Sequence, residues 1–154
     1  MRTLPYAPLL RELPIPHGVV KRSMPLNIDV AAALIQDAEG RYLITQRRRG
    51  SHLEGLWEFP GGKRDAGEEL AACLRRELME ELGARFTIGE KVDTIRWDYP
   101  DRAVVLHFFR CRLESGTIEP KESQAMAWVA APDLTRYDFP PADRELIERL
   151  GASR

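Results

Sequence analysis

The order of predicted elements puts this chain in the α/β class, with a mixed sheet flanked by helices. Three observations carry that expectation. Apolar and β-branched runs open the patterned part of the chain at 28–36 and 41–47. A strongly helical stretch follows at 68–82. Two more strand-like runs, a short third one and a final helical segment complete it.

Residues 28–36 (IDVAAALIQ) form a continuous apolar run, and residues 41–47 (RYLITQR) alternate. Asp37-Ala38-Glu39-Gly40 between them reads as a hairpin turn. A loop then runs through Gly50 and Gly55 to Trp57-Glu58-Phe59-Pro60. The helix over 68–82 ends at Gly83, a residue suited to a C-terminal cap. Residues 86–97 and 103–113 read as strands joined by a turn at Tyr99-Pro100-Asp101-Arg102, and 126–130 (MAWVA) as another. The last helix starts near Pro141, since proline suits a first turn, and runs to about Leu150. Ahead of all this, residues 1–25 are proline-rich and read as an extended arm. Leu4, Tyr6, Leu9, Leu10 and Ile15 give that arm a means of packing on the body or on a partner chain. The expected organisation is therefore a 1–25 extension and one domain over 26–154.

With 154 residues, 44% of them apolar and 31% charged, the composition is that of an ordinary globular domain. A net charge of -1 gives no general attraction to nucleic acid or to anionic membranes, so neither is an expected partner. No apolar run approaches membrane-spanning length, and Pro5, Pro8, Pro14 and Pro16 interrupt any signal-like core, so the cytoplasm is the expected location. Cys73 and Cys111 lack metal-ligand spacing and read as reduced thiols at the core. His17, His52 and His107 form no constellation with a nucleophile and read as non-catalytic, although His52 lies in the loop before the helix and could touch substrate.

Chemistry concentrates in GKRDAGEELAACLRRELMEELGA, residues 62–84. Glu77, Glu80 and Glu81 stand at i, i+3 and i+4, which gathers three carboxylates on one side of a helix. At about 100° per residue, Leu70, Leu74, Leu78 and Leu82 form one stripe, with Glu77 and Glu81 bordering or entering it. The competing reading is a solvated acidic face with Arg75 and Arg76 as ion-pair partners. Acids beside the core argue against it, because uncompensated charge is costly there. A hard divalent cation with a preference for oxygen ligands resolves the repulsion, and Mg²⁺ is the natural choice. Glu68 sits one loop upstream, behind a glycine pair that lets backbone come close to a ligand.

Gly62, Glu68, Arg76, Glu77, Leu78, Glu80, Glu81 and Gly83 fall at the spacing of the Nudix box, with Ala84 where a bulkier aliphatic is usual. The chain therefore resembles the Nudix family. The resemblance implies the Nudix fold, an α/β/α sandwich around a mixed β-sheet. It also implies that Glu77, Glu80 and Glu81 bind metal, joined by the carbonyl of Gly61, while Arg76 and Glu68 orient them. Mg²⁺ is the implied cofactor, with Mn²⁺ able to substitute.

The flanks are similar to MutT-type members of the family. Trp57-Glu58-Phe59-Pro60-Gly61-Gly62-Lys63, Tyr99-Pro100-Asp101-Arg102, Lys121-Glu122-Ser123-Gln124 and Phe139-Pro140-Pro141-Ala142-Asp143 each match a landmark of that group. The similarity implies that Glu122 is a metal ligand or general base and that Arg47 contacts the nucleotide. Phe59 and Arg102 match base-pocket positions, with core packing as the alternative role for Phe59. Asp143 departs from the group, which has Asn there. An ionised Asp only accepts hydrogen bonds, whereas a protonated one also donates. Its alternative role is to cap the last helix.

The implied activity is hydrolysis of a nucleoside triphosphate to the monophosphate and pyrophosphate. Oxidised dGTP leads, which would be nucleotide-pool sanitation in the service of DNA repair. CTP or a modified pyrimidine triphosphate is the alternative, because related enzymes acting on cytidine nucleotides carry P-A-D at this place. A non-catalytic Nudix-like binding module is a third possibility, opposed by the presence of every box carboxylate. The implied partner is the nucleotide, and the protein would act as a monomer or homodimer.

Overall fold

The computed structural model describes residues 26–50 and 54–152. The proline-rich extension 1–25, with His17, and His52 in the loop before the box lie outside the described residues. Along the chain come β1 (Leu26–Ile35), β2 (Tyr42–Gln46), β3 (Trp57–Glu58), β4 (Gly61–Lys63), α1 (Leu70–Leu82), β5 (Arg85–Tyr99), β6 (Arg102–Ser115), β7 (Ala125–Val129) and α2 (Arg144–Ala152). Short 3₁₀ turns at Ala131–Arg136 and Pro141–Asp143 lead into α2.

The main sheet runs β4-β1-β6-β5 and is mixed: β1 and β6 are parallel, while β4 and β5 pair antiparallel to their neighbours. Burial of β1 explains its unbroken apolar run. Val30, Ala31, Ala32, Ala33 and Leu34 are all 0% exposed. Alternate residues feed opposite layers, as the period of a strand requires. Ala31, Ala33 and Ile35 join Leu74, Leu78 and Leu82 of α1. Val30, Ala32 and Leu34 join Phe59, Phe108, Leu146 and Ile147 on the α2 side. Helix, sheet and helix therefore stack as three layers. Ala84, small for its position, is 1% exposed within the α1 layer. Among the described residues, no helix is long and apolar enough to cross a membrane.

The structure departs from expectation in three places. The turn at Asp37–Gly40 forms, with the Gly40 N–H donating to the Asp37 carbonyl at 2.9 Å. The hairpin does not continue, because β4 and β6 already occupy both edges of β1. After a single bridge, Gln36 to Tyr42, β2 leaves to form a second, antiparallel sheet ordered β3-β2-β7. The expected glycine loop holds two short strands, β3 and β4. Gly61 adopts φ 152°, and a Cβ there would lie 2.0 Å from the Ala31 carbonyl oxygen, so only glycine lets β4 close on β1. Finally, Pro141 starts a 3₁₀ turn, and α2 proper begins at Arg144.

Candidate active site

Helix α1 carries its acids where the sheet is nearest. Glu77 is 8% exposed and Glu81 2%, level with Leu74 and Leu78, whereas Glu80 is exposed. Arg76 organises the cluster. Its Nε and one terminal nitrogen donate to both oxygens of Glu68 at 2.8 and 2.9 Å, a bidentate grip. The other terminal nitrogen donates to Glu77 at 2.9 Å and lies 3.6 Å from Glu80. The Arg76 hydrogen bonds hold the Glu68 carboxyl down at about 2, and they raise Arg76 in return. Glu68 therefore keeps its charge, and its grip on Arg76, until pH falls toward that value.

Glycine again lets backbone meet carboxylate. A Cβ at Gly62 would lie 2.3 Å from the Glu77 carboxyl carbon. The Gly61 N–H donates to Glu81 Oε1 at 3.3 Å.

The loop that carries Glu122 is fastened to the end of α1. Gly83 takes the left-handed conformation (φ 69°) and returns its N–H to the Met79 carbonyl. Carbonyls of the last helical turn lack partners within the helix. Here the loop supplies them: the Glu119 N–H donates to Leu82 and the Lys121 N–H to Glu81, both at 2.9 Å. A second hydrogen bond to the Glu81 carbonyl comes from Gln124 Nε2 at 3.0 Å. Glu122, some forty residues away in sequence, is thereby carried to Glu81. One pocket is lined by Arg47, Arg48, Glu58, Glu81, Glu122 and Gln124.

Glu58 has no part in the sequence-based site, yet it is 7% exposed in this pocket, with Arg47 4.0 Å away. The available signal was an acid between two aromatics, Trp57 and Phe59. Strand alternation turns it away from the core they enter.

Glu77 and Glu80 do not line this pocket; they face Arg76 instead. Among the described residues, no three acidic, His or Cys side chains converge as a ready metal cage. The donors nonetheless fit a hard divalent cation. They are oxygen donors throughout, and Glu77 and Glu81 are buried carboxylates, the ligand type such a cation prefers.

The expected base pocket is less open than its residues suggest. Phe59 is 0% exposed. Its ring packs edge-on against Tyr42 and Phe108 and lies 5.3 Å, centroid to centroid, from the half-buried Phe139. A base could reach Phe59 only by displacing one of these rings. Arg102 starts β6 beside Asp101, 3.8 Å away. Asp143 is 0% exposed, and neither carboxylate oxygen has a hydrogen-bond partner, so the side chain does not cap α2. Burial raises its pKa to about 7.

His107 is occupied structurally. Its Nε2 donates to Asp29 at 2.8 Å, and its Nδ1 accepts from the Lys91 ammonium at 2.9 Å. The second Asp29 oxygen accepts from Arg64 at 2.8 Å, and Arg64 also donates to the Glu68 carbonyl. Burial alone would raise Asp29, but the bonds from His107 and Arg64 outweigh it and lower its pKa. This chain of contacts ties β5, β6 and β1 to the loop that holds Glu68. Cys73 and Cys111 are buried free thiols, each pushed up to about 12 chiefly by burial.

The family model for the NUDIX domain matches residues 31–149, which takes in the whole of this site. The chain belongs to the Nudix family. Nudix hydrolases generally use divalent cations. The chain is 38% identical to the CTP pyrophosphohydrolase of Escherichia coli K12 over 127 residues, 82% of this chain and 93% of that protein. It is 37% identical to the 8-oxo-dGTP diphosphatase of Haemophilus influenzae over 123 residues, 80% of this chain and 90% of the relative. Its fold is similar to that of the E. coli ORF135 protein, with a TM-score of 0.73, 35% identity, and coverage of 88% of this chain and 98% of the other.

Proposed function

We propose that this Nudix protein hydrolyses a nucleoside triphosphate between its α and β phosphates, releasing the monophosphate and pyrophosphate. One observation carries the reading: Glu81, Glu122 and Arg47 line a single pocket at the end of α1. Mg²⁺, or Mn²⁺ in its place, would neutralise phosphate charge and acidify a water when bound. Glu77, Glu80, Glu81, Glu122 and the Gly61 carbonyl are the residues to hold it. Glu77 and Glu80 would then exchange Arg76 for the cation, while Glu68 keeps Arg76 in place. Arg47 would grip phosphate oxygens. Glu122 or a box glutamate would accept the proton of the attacking water. The domain is 26–154, and the family match over 31–149 supports that.

Base choice falls to Asp143, Arg102 and the aromatic group of Phe59 and Phe139. Oxidised dGTP is the first substrate to test, consistent with a role in cleaning the cytoplasmic nucleotide pool. One observation favours a second reading, a CTP-like pyrimidine triphosphate. Asp143 offers an acceptor to an exocyclic amine, and a relative named CTP pyrophosphohydrolase is 38% identical. A Mg²⁺-dependent screen of canonical and oxidised triphosphates separates the two by kcat/KM. A clear preference for 8-oxo-dGTP supports the first, a preference for CTP or a modified cytidine nucleotide supports the second, and turnover of none overturns the proposal.

A further inference from the structure

We propose that Gln124 is a positioning residue that sets the spacing between Glu81 and Glu122 and so tunes the affinity of the site for a divalent cation. The proposal rests on the metal-assisted reading above. Gln124 uses both ends of its amide. Oε1 accepts from the Glu122 backbone N–H at 2.9 Å, and Nε2 donates to the Glu81 carbonyl at 3.0 Å. The orientation is unambiguous, because a flipped amide would set N–H against N–H and oxygen against oxygen. One rigid group therefore spans the backbones of two acids that line the same pocket.

Two further features show that the loop is held in this form rather than resting in it. Ser123, between Glu122 and Gln124, has φ 59°, the one non-glycine residue with positive φ among those described. Such a conformation costs about 1–2 kcal/mol and persists where surrounding contacts over-determine it. At Gly83, a Cβ would lie 2.4 Å from the Lys121 side chain. Gly83, itself at φ 69°, leaves room for the Lys121 side chain to lie across the helix end. The Lys121 N–H and Gln124 Nε2 both land on the Glu81 carbonyl. That carbonyl is thus the point where the loop register is fixed to the helix. Without Gln124, the Lys121 backbone bond still docks the loop and the Ser123 N–H still donates to the Pro120 carbonyl, but the link from the Glu122 N–H to the helix end is lost.

Gln124→Met keeps length and bulk and removes both hydrogen bonds. Metal binding is measured on the protein without nucleotide, by Mn²⁺ paramagnetic resonance and Mg²⁺ calorimetry. Circular dichroism checks the fold. The expected result is about a 10- to 100-fold weaker Kd for the variant, the range typical when a residue that orients metal ligands is lost. In turnover, the Mg²⁺ concentration for half-maximal rate should rise, while KM for nucleotide at saturating metal stays the same. A merely structural role would lower stability without moving metal affinity. Where Gln124→Met fails to fold, Gln124→Asn serves. It keeps both polar groups but is one methylene too short to reach both partners, so a weaker Kd is again expected. Wild-type affinity in a folded variant overturns the positioning role alone. Failure of the wild-type protein to bind either cation overturns the metal-assisted reading and this inference with it.

Discussion

Replacing Glu81 with glutamine should lower kcat by at least about a thousandfold and leave the protein folded. The size follows from removing a charged group that must act in the transition state, where single donors are already worth 10²–10³. Glu81 stands apart from its neighbours for three reasons. It is 2% exposed, it faces the pocket with Glu122, and its backbone carbonyl anchors the loop. Glutamine preserves shape, the carbonyl, and an Oε1 that can still accept from the Gly61 N–H. What it removes is the negative charge. The substitution is isosteric, so circular dichroism should show a folded protein, and activity lost in that folded protein cannot be ascribed to unfolding. Glu80→Gln should also abolish turnover, through an exposed residue that contributes little to packing. Near-normal turnover in a folded Glu81→Gln protein would sink the assignment of the metal site.

Asp143→Asn should change how stability depends on pH. Burial raises the folded pKa of Asp143 to about 7, above its ordinary value of 3.8. The sign follows directly: the neutral form is favoured in the folded state. Its contribution is complete below the unfolded pKa and is lost as pH rises through the folded one. Asparagine cannot ionise. The stability difference between the two proteins should therefore swing toward the variant by on the order of 4 kcal/mol as pH rises from about 4 to about 8. Urea unfolding across that range, without nucleotide, measures it. Parallel curves would mean that Asp143 is solvated. The same substitution should shift the purine-to-pyrimidine preference, because Asn donates and accepts at every pH, whereas an ionised Asp only accepts. An unchanged substrate profile would remove Asp143 from base selection.

Local pattern made much of this molecule legible. The leucine stripe of α1 and the acids on its edge follow from a helical period over 70–82, and Gly83 ends the helix as its type suggests. The continuous apolar run of β1 foretells a strand buried on both faces. Features created by distant partners were not legible. Pro60 lies between β3 and β4, and β4 is mostly glycine; both are strands because Thr45 and Ala31 offer them edges. The turn at Asp37–Gly40 was readable, but the departure of β2 was not, since β6, far along the chain, takes the edge of β1. Within the site, box spacing pointed to Glu77, Glu80 and Glu81. It could not reveal that Arg76 holds the first two while Glu81 turns to the pocket with Glu122. Nor could it reveal Glu58, whose role depends on burial, or Gln124, whose two hydrogen bonds depend on how a loop docks.

The most direct test of the central claim is ³¹P NMR of the products formed from the preferred triphosphate, with and without Mg²⁺. The proposed function predicts equal amounts of nucleoside monophosphate and pyrophosphate, formed only with the divalent cation present. Nucleoside diphosphate and inorganic phosphate as first products, or equal turnover in excess chelator, would contradict it.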